Sequence, residues 1–286
     1  MADYRVIIAY LSDAATAADT LGAALIVGQQ HGAHIGALHV RPLPETTVPL
    51  IGEGLSATVV EEMLTLAETR TGEKARQLRE IFDKAVAERG VPTIEEPHPT
   101  PGISIHWDER VGREEDVLTA TARLSDLIVM SKPSSTADAA HFLTLNAGLM
   151  ESGKPLLLIP HHSITSVGKT VVVFWNGSVE ATRAVTAGLP FLEKAEKVVV
   201  FSGYENNDSS PNELAAYLAW RGIKTSIHAF PVQGNPGEIL LQEAGKVSAD
   251  MVIMGAYTHS RLRQLIFGGV TSHMLQAAEI PILFCH

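Results

Sequence analysis

Asp250-Met-Val-Ile-Met-Gly255-Ala-Tyr-Thr258-His259-Ser260-Arg261-Leu-Arg263-Gln-Leu-Ile-Phe-Gly268-Gly269-Val270-Thr271 is the stretch on which the fold of this 286-residue chain turns. Met251 to Met254 is an uninterrupted apolar run, the pattern of a strand buried on both faces. It stops at Gly255, and a polar loop holding Thr258, His259, Ser260 and Arg261 follows. Gly268-Gly269 then leads through Val270 and Thr271 into an apolar helical segment that stops before Pro281. A buried strand, a glycine, a polar loop and a glycine-led helix start leave backbone N–H groups and the positive end of a helix dipole where a phosphate can reach them. The same glycines also fit tight strand-to-helix turns with no ligand. The stretch alone leaves both readings open.

Working outward, the stretch has a counterpart earlier in the chain. Asp126-Leu-Ile-Val-Met-Ser131 aligns with Asp250-Met-Val-Ile-Met-Gly255 without a gap, and Gly153-Lys-Pro155-Leu-Leu-Leu-Ile corresponds to Glu279-Ile-Pro281-Ile-Leu-Phe. Around these, strand and helix patterns alternate twice. The first series is strand 5–11, helix 14–30 with Ser12 or Asp13 as N-cap, strand 36–40, an excursion loop over 44–56, a long helix 61–89 that Gly72 divides and Gly90 stops, strand 103–107, helix 117–124, strand 126–130, helix 142–150 and strand 155–159. The second is strand 169–175, helix 179–192, strand 197–202, helix 211–221, strand 225–230, helix 239–246, strand 250–254, helix 271–278 and strand 280–284. Alternating strands and helices imply βαβ units, parallel sheets and right-handed crossovers. The expectation is an α/β protein of two tandem domains, 1–160 and 168–286, joined near 160–168.

Composition narrows the function classes. A formal net charge of −10 argues against a nucleic-acid binder, which carries a basic face, although Arg261 and Arg263 form a local basic spot. A single cysteine, Cys285, rules out an intramolecular disulfide and fits a reducing compartment. No apolar run approaches the roughly 20 residues of a membrane helix, and the N-terminus reads as a strand start, so a cytoplasmic protein without membrane contact is expected. Gly168-Lys169-Thr170 imitates the tail of a P-loop, but Ser163 stands where that motif needs glycine and a strand follows instead of a helix. No Gly-x-Gly-x-x-Gly run is present, and Asn176-Gly177-Ser178 and Asn207-Asp-Ser209 are glycosylation sequons that a cytoplasmic chain does not use. His161, His162, Cys285 and His286 meet if the two terminal strands pair, yet neighbouring histidines on an extended chain point to opposite faces, so no metal site is expected. His39, at a strand end, is expected to be structural, and the glutamates of 61–88 read as a solvated helix face.

With these residues in view the chain resembles the universal stress protein family in its tandem, two-domain form. Trp175-Asn176-Gly177-Ser178 after a buried strand is similar to the family's Val-Asp-Gly-Ser, and Gly234-Asn-Pro236-Gly-Glu238-Ile239 to the lead into its third helix. Gly255 to Gly269 resembles its nucleotide loop, Gly-2x-Gly-9x-Gly-(Ser/Thr). The resemblance implies two Rossmann-like, adenine nucleotide alpha hydrolase-like domains, each a five-stranded parallel sheet of order 3-2-1-4-5. It also implies that the two fifth strands pair, so that one chain imitates the family's homodimer; a further homodimer of the whole chain is compatible with this.

The departures matter for function. Asn176 stands where nucleotide-binding members have Asp, Thr258 replaces the loop's second glycine, and Gly269 replaces its Ser or Thr. Thr271 offers a hydroxyl two residues on. In the first domain Tyr10-Leu11-Ser12-Asp13 and Ser131-Lys132-Pro133-Ser134 replace the two loops. The candidate nucleotide-binding set is therefore Asn176, Gly177, Ser178, Gly255, Thr258, His259, Ser260, Gly268, Gly269, Val270 and Thr271, all in the second domain. The ligand it suggests is ATP or another adenine nucleotide, and no catalytic residue or metal ligand is expected. The leading functional expectation is a non-enzymatic stress-response or regulatory protein that acts through an unidentified protein partner and binds nucleotide weakly. The alternatives are an ATP-binding protein with slow hydrolysis or autophosphorylation, centred on Gly255, Gly268 and Thr271, and a small-molecule ligand-binding protein using Trp175 near the same cleft.

Overall fold

The computed structural model describes residues 3–43, 57–99, 101–133, 139–203, 210–231, 234–257 and 269–286. The first half supplies β1 (Val6–Tyr10), α1 (Ala14–His31), β2 (His34–Arg41), α2 (Ala57–Arg89), β3 (Ser104–Val111), α3 (Glu114–Ala122), β4 (Leu127–Ser131), α4 (Ala139–Glu151) and β5 (Leu156–Ile159). The second supplies β6 (Thr170–Phe174), α5 (Val179–Leu192), β7 (Lys197–Gly203), α6 (Ser210–Ala219), β8 (Thr225–Phe230), α7 (Pro236–Lys246), β9 (Met251–Gly255), α8 (Val270–Ala277) and β10 (Ile282–Cys285). The strands form one sheet in the order β3-β2-β1-β4-β5-β10-β9-β6-β7-β8, which is the expected 3-2-1-4-5 order followed by its reverse. Within each half every ladder is parallel. The halves meet where β10 runs antiparallel to β5, with Ile282, Leu283 and Phe284 opposite Leu158, Leu157 and Leu156.

The aspartates of the repeat have one physical task in both halves. Asp126 accepts hydrogen bonds from the backbone N–H groups of Arg5 and Val6 at 2.7 and 2.9 Å. Asp250 accepts from those of Lys169 and Thr170 at 3.1 and 2.8 Å, and from Ser166 Oγ at 2.8 Å. Each carboxylate thus joins the start of its fourth strand to the start of its first, satisfying donors the ladder leaves open. The strands that follow are buried throughout, from Leu127 to Ser131 and from Met251 to Met254, as expected for a sheet covered on both faces. The joint between halves is tied down as well: Val167 is buried, its carbonyl accepts from Gln30 Nε2 at 3.0 Å, and Ser163 Oγ donates to Asp19 at 3.1 Å.

Three expectations need correction. Gly72 does not divide α2, which is continuous over 33 residues; a Cβ at that position would meet nothing within 4 Å, so the glycine costs only the roughly 1 kcal/mol of a solvated helix interior. β3 runs to Val111, because eight residues of β2 pair with it. α3 begins at Glu114, and its first turn, Glu114-Glu115-Asp116, sits on the positive end of the helix dipole. The excursion predicted over 44–56 lies outside the described residues.

Candidate functional site

The described residues of the predicted site lie after the carboxyl ends of β6 and β9, the two strands flanking the switch point of the second half, and at the start of α8. After β6, Gly177 turns the chain with φ 70, a left-handed conformation that other residues adopt at a cost. Asn176 Oδ1 then accepts from Ser178 N at 3.1 Å, and Ser178 Oγ accepts from Ala181 N at 3.1 Å as the N-cap of α5. Both side chains are therefore held by their own turn. The indole N–H of the preceding Trp175 donates to Ser210 Oγ at 3.0 Å, at the start of α6.

Gly255 closes β9 against that same turn. A Cβ on it would lie 2.6 Å from Ala181 N, 2.7 Å from the Glu180 carbonyl carbon and 2.8 Å from Glu180 Cβ. Two of those neighbours are backbone atoms and cannot swing aside. The glycine lets a strand end touch the first turn of α5, which is a packing reason independent of any ligand. Ala256 N then donates to Cys285 O at 2.9 Å, and Tyr257 N donates to Thr271 Oγ1 at 3.3 Å. Thr271 is buried and faces back toward the strand end.

Gly269 is the N-cap of α8, in an extended conformation with φ −66 and ψ 168, and it brings no side-chain cap. Val270 and Thr271 form the first helical turn, so the dipole of α8 ends beside the carboxyl end of β9, and its N-cap, Gly269, brings no capping side chain. On the other side, Asn235 caps α7 and its Nδ2 lies 3.3 Å from His273 Nδ1. The structure therefore brings Asn176, Gly177, Ser178 and Gly255 together on one flank, with Gly269, Val270 and Thr271 on the other. Thr258, His259, Ser260 and Gly268 lie outside the described residues.

The equivalent place in the first half is filled. His141, the third residue of α4, is buried and donates through Nε2 to the Ser131 carbonyl at 2.8 Å. Ser131 Oγ donates to Thr16 Oγ1 at 3.0 Å, and Lys132 turns away, its ammonium donating to Ala278 O at 3.1 Å and Glu279 Oε1 at 2.6 Å. The hydrogen bond and charge of Lys132 hold the Glu279 carboxyl below the usual range. His39 is buried and donates through Nδ1 to Leu11 O at 2.9 Å, which fits a structural histidine; burial lowers its pKa. Sequence reasoning missed Lys132 and His141, although a lysine and a histidine at the positions of a glycine loop were the available signals.

The four residues weighed as metal ligands are directed to separate partners. His161 Nε2 donates to Lys132 O at 2.6 Å, His162 Nδ1 lies 3.5 Å from Glu279 Oε2, and His286 Nδ1 donates to Ala256 O at 3.1 Å. Burial pushes the Cys285 thiol up, away from the thiolate a metal needs. Among the described residues no group of three or more His, Cys, Asp or Glu side chains is arranged to hold a metal ion.

Residues 202–286, which contain the whole β9–α8 crossover, match the model of the universal stress protein family. That stretch is similar to universal stress proteins, and the likeness extends to longer relatives. The universal stress protein Slr1230 of Synechocystis is 25% identical over 248 residues, spanning 82% of this chain and 80% of that protein. The stress response protein NhaX of Bacillus subtilis is 36% identical over 52 residues, 18% of this chain and 31% of that protein's length. A universal stress protein from Archaeoglobus fulgidus superposes with a TM-score of 0.63 at 17% identity over 98% of this chain and 95% of its own, which establishes the shared fold. Among the described residues no helix is long and apolar enough to cross a membrane.

Proposed function

We propose that this chain is a universal stress protein of two domains, 1–160 and 168–286, serving as a non-enzymatic, cytoplasmic stress-response regulator that acts through a protein partner. In this reading the second domain carries the chain's one adenine-nucleotide site, and the site is weak. The observation that supports it is the contrast between the halves. Among the described residues, a buried histidine and a departing lysine follow β4, whereas after β9 the helix starts at a glycine that brings no capping side chain of its own. Phosphate would be bound by the first-turn amides of α8 and by the dipole behind them. Weakness follows from what is missing. Gly269 offers no hydroxyl, and Asn176 stands where an aspartate would be, its Oδ1 accepting from Ser178 N; the Thr271 hydroxyl accepts from Tyr257 N and keeps its O–H as the one donor of this kind among the described residues of the candidate set at the start of α8. Each absent charge-assisted hydrogen bond costs about 1–3 kcal/mol, or roughly one to two orders of magnitude in affinity.

Isothermal titration of the full chain with ATP, ADP and AMP tests this reading. The expected result is one nucleotide per chain, with affinity retained when His141 is replaced by alanine. A stoichiometry of two, or a nucleotide co-purifying with residues 1–160, would refute it. Turnover of ATP to ADP at rates above the uncatalysed background would favour the hydrolytic alternative instead.

A further inference from the structure

Two side chains cross between the halves near the sheet's centre, in opposite directions. Lys132, one residue past β4, sends its ammonium to Ala278 O and Glu279 at the end of α8. Tyr257, two residues past β9, sends its hydroxyl back to the first half, where it donates to Asn146 Oδ1 on α4 at 2.7 Å. Asn146 is oriented for this, since its Nδ2 is committed to Phe142 O at 2.8 Å and its Oδ1 is left facing the tyrosine. Tyr257 also has φ 55, one of two positive values among the described non-glycine residues. A side chain in that region is strained, and such strain persists where the surroundings over-determine the conformation. Three bonds from the second half do part of this: Tyr257 N to Thr271 Oγ1, Ala256 N to Cys285 O, and His286 Nδ1 to Ala256 O. A further restraint, the hydroxyl bond to Asn146, comes from the first half.

We propose that Tyr257 is a positioning residue through which the first half, by way of Asn146, holds the root of the second half's nucleotide loop in its strained conformation. The proposal rests on the reading of α8 as the nucleotide site for its consequence, though not for its mechanics. One residue ties the end of β9, the first turn of α8 and helix α4 together, so a change in α4 is transmitted to the amides that face phosphate. A half that has lost its own loop thereby acquires a use in the other half's site.

Hydrogen exchange of the ligand-free full chain measures the mechanics, with ATP titration run in parallel. Tyr257→Phe and Asn146→Leu each remove a hydrogen bond of ordinary strength, so the amides of 256–257 and 270–272 should exchange about three- to tenfold faster. The double variant should change them no further, because both act through one bond. Asn146→Asp keeps an acceptor and should restore protection; should Asn146→Leu fail to fold, Tyr257→Phe and this rescue carry the test. Affinity for ATP should fall by a similar factor in both single variants. Unchanged exchange in the singles, or additive effects in the double, would overturn the proposal. So would faster exchange with unaltered ATP affinity. Faster exchange in a protein whose wild type binds no nucleotide supports the anchor and refutes the nucleotide site, which keeps the two failures distinct.

Discussion

Replacing Gly269 by aspartate separates the two roles that the start of α8 can play. The residue has φ −66 and ψ 168, a conformation any amino acid adopts and the usual one for an N-cap. An aspartate there would accept a hydrogen bond from the first-turn amides and lie on the helix dipole, so the protein should gain about 0.5–1 kcal/mol of stability. The same carboxylate would occupy the space an incoming phosphate needs. At a separation of about 5 Å, one unit of like charge costs about 1 kcal/mol in bulk water and about 3 kcal/mol at an effective dielectric of about 20. A loss of affinity between about fivefold and 150-fold is therefore expected, together with a higher melting temperature. Gly269→Asn supplies the control, because it caps as well without the charge and should bind ATP better than the aspartate variant. Calorimetric titration reads the affinity, and thermal unfolding without ligand reads the stability. An aspartate variant that binds ATP as tightly as the wild type would refute α8 as the phosphate site.

Other predictions follow from single contacts. Gly255→Ala places a Cβ 2.6 Å from the Ala181 amide nitrogen, so backbone must move; a loss of about 1–3 kcal/mol in urea unfolding is expected, and a change under about 0.5 would show that the strand end is free to retreat. His31 is held near pKa 4 by burial and by the neighbouring Lys194, against the pull of Asp3. The folded chain therefore binds fewer protons than the unfolded chain between pH 6.5 and about 4, and stability should fall as pH drops through that window by at most about 1.4 kcal/mol per unit. His31→Phe should flatten this part of the pH–stability curve, which unfolding titrations at several pH values would read. Lys132→Met leaves the Ala278 carbonyl without its ammonium partner; since Glu279 is largely exposed, a loss of only about 1–2 kcal/mol is expected in denaturant titration, and no loss at all would place the latch outside the folding unit.

How much of this was legible in the sequence depends on the range of the interaction concerned. Strands with unbroken apolar runs, such as Val171–Phe174 and Met251–Met254, were readable because burial on both faces leaves no other residue type in place. The repeat then gave the sheet order by way of family resemblance, and the β5–β10 pairing followed it. Turn chemistry was half-legible. Asn176-Gly177-Ser178 could be recognised as a loop, but only geometry shows that its two polar side chains are engaged by the turn. Gly255 looked like a phosphate glycine, and its tightest neighbours are the backbone of α5. Contacts between residues more than a hundred positions apart, Lys132 with Glu279 and Tyr257 with Asn146, leave no periodic trace in one sequence.

Those crossings bear on why the two halves have diverged so unequally. In a symmetric pair each loop would serve its own site, and any side chain reaching across the central ladder would be repeated by its mate. Here the residues after β4 and β9 still reach across, but with different chemistry. Lysine meets a helix C-terminus, where a cation is favoured, and tyrosine meets a side-chain amide. By the alignment of Ser131 with Gly255, Lys132 stands opposite Ala256 and Tyr257 opposite Pro133, so neither crossing is repeated by its mate. One position is then free to become a latch that stabilises the interface, while the other keeps a strained backbone beside a helix start. In the proposed reading this is a division of labour, with the first half supplying rigidity and the second an anion site at the start of α8.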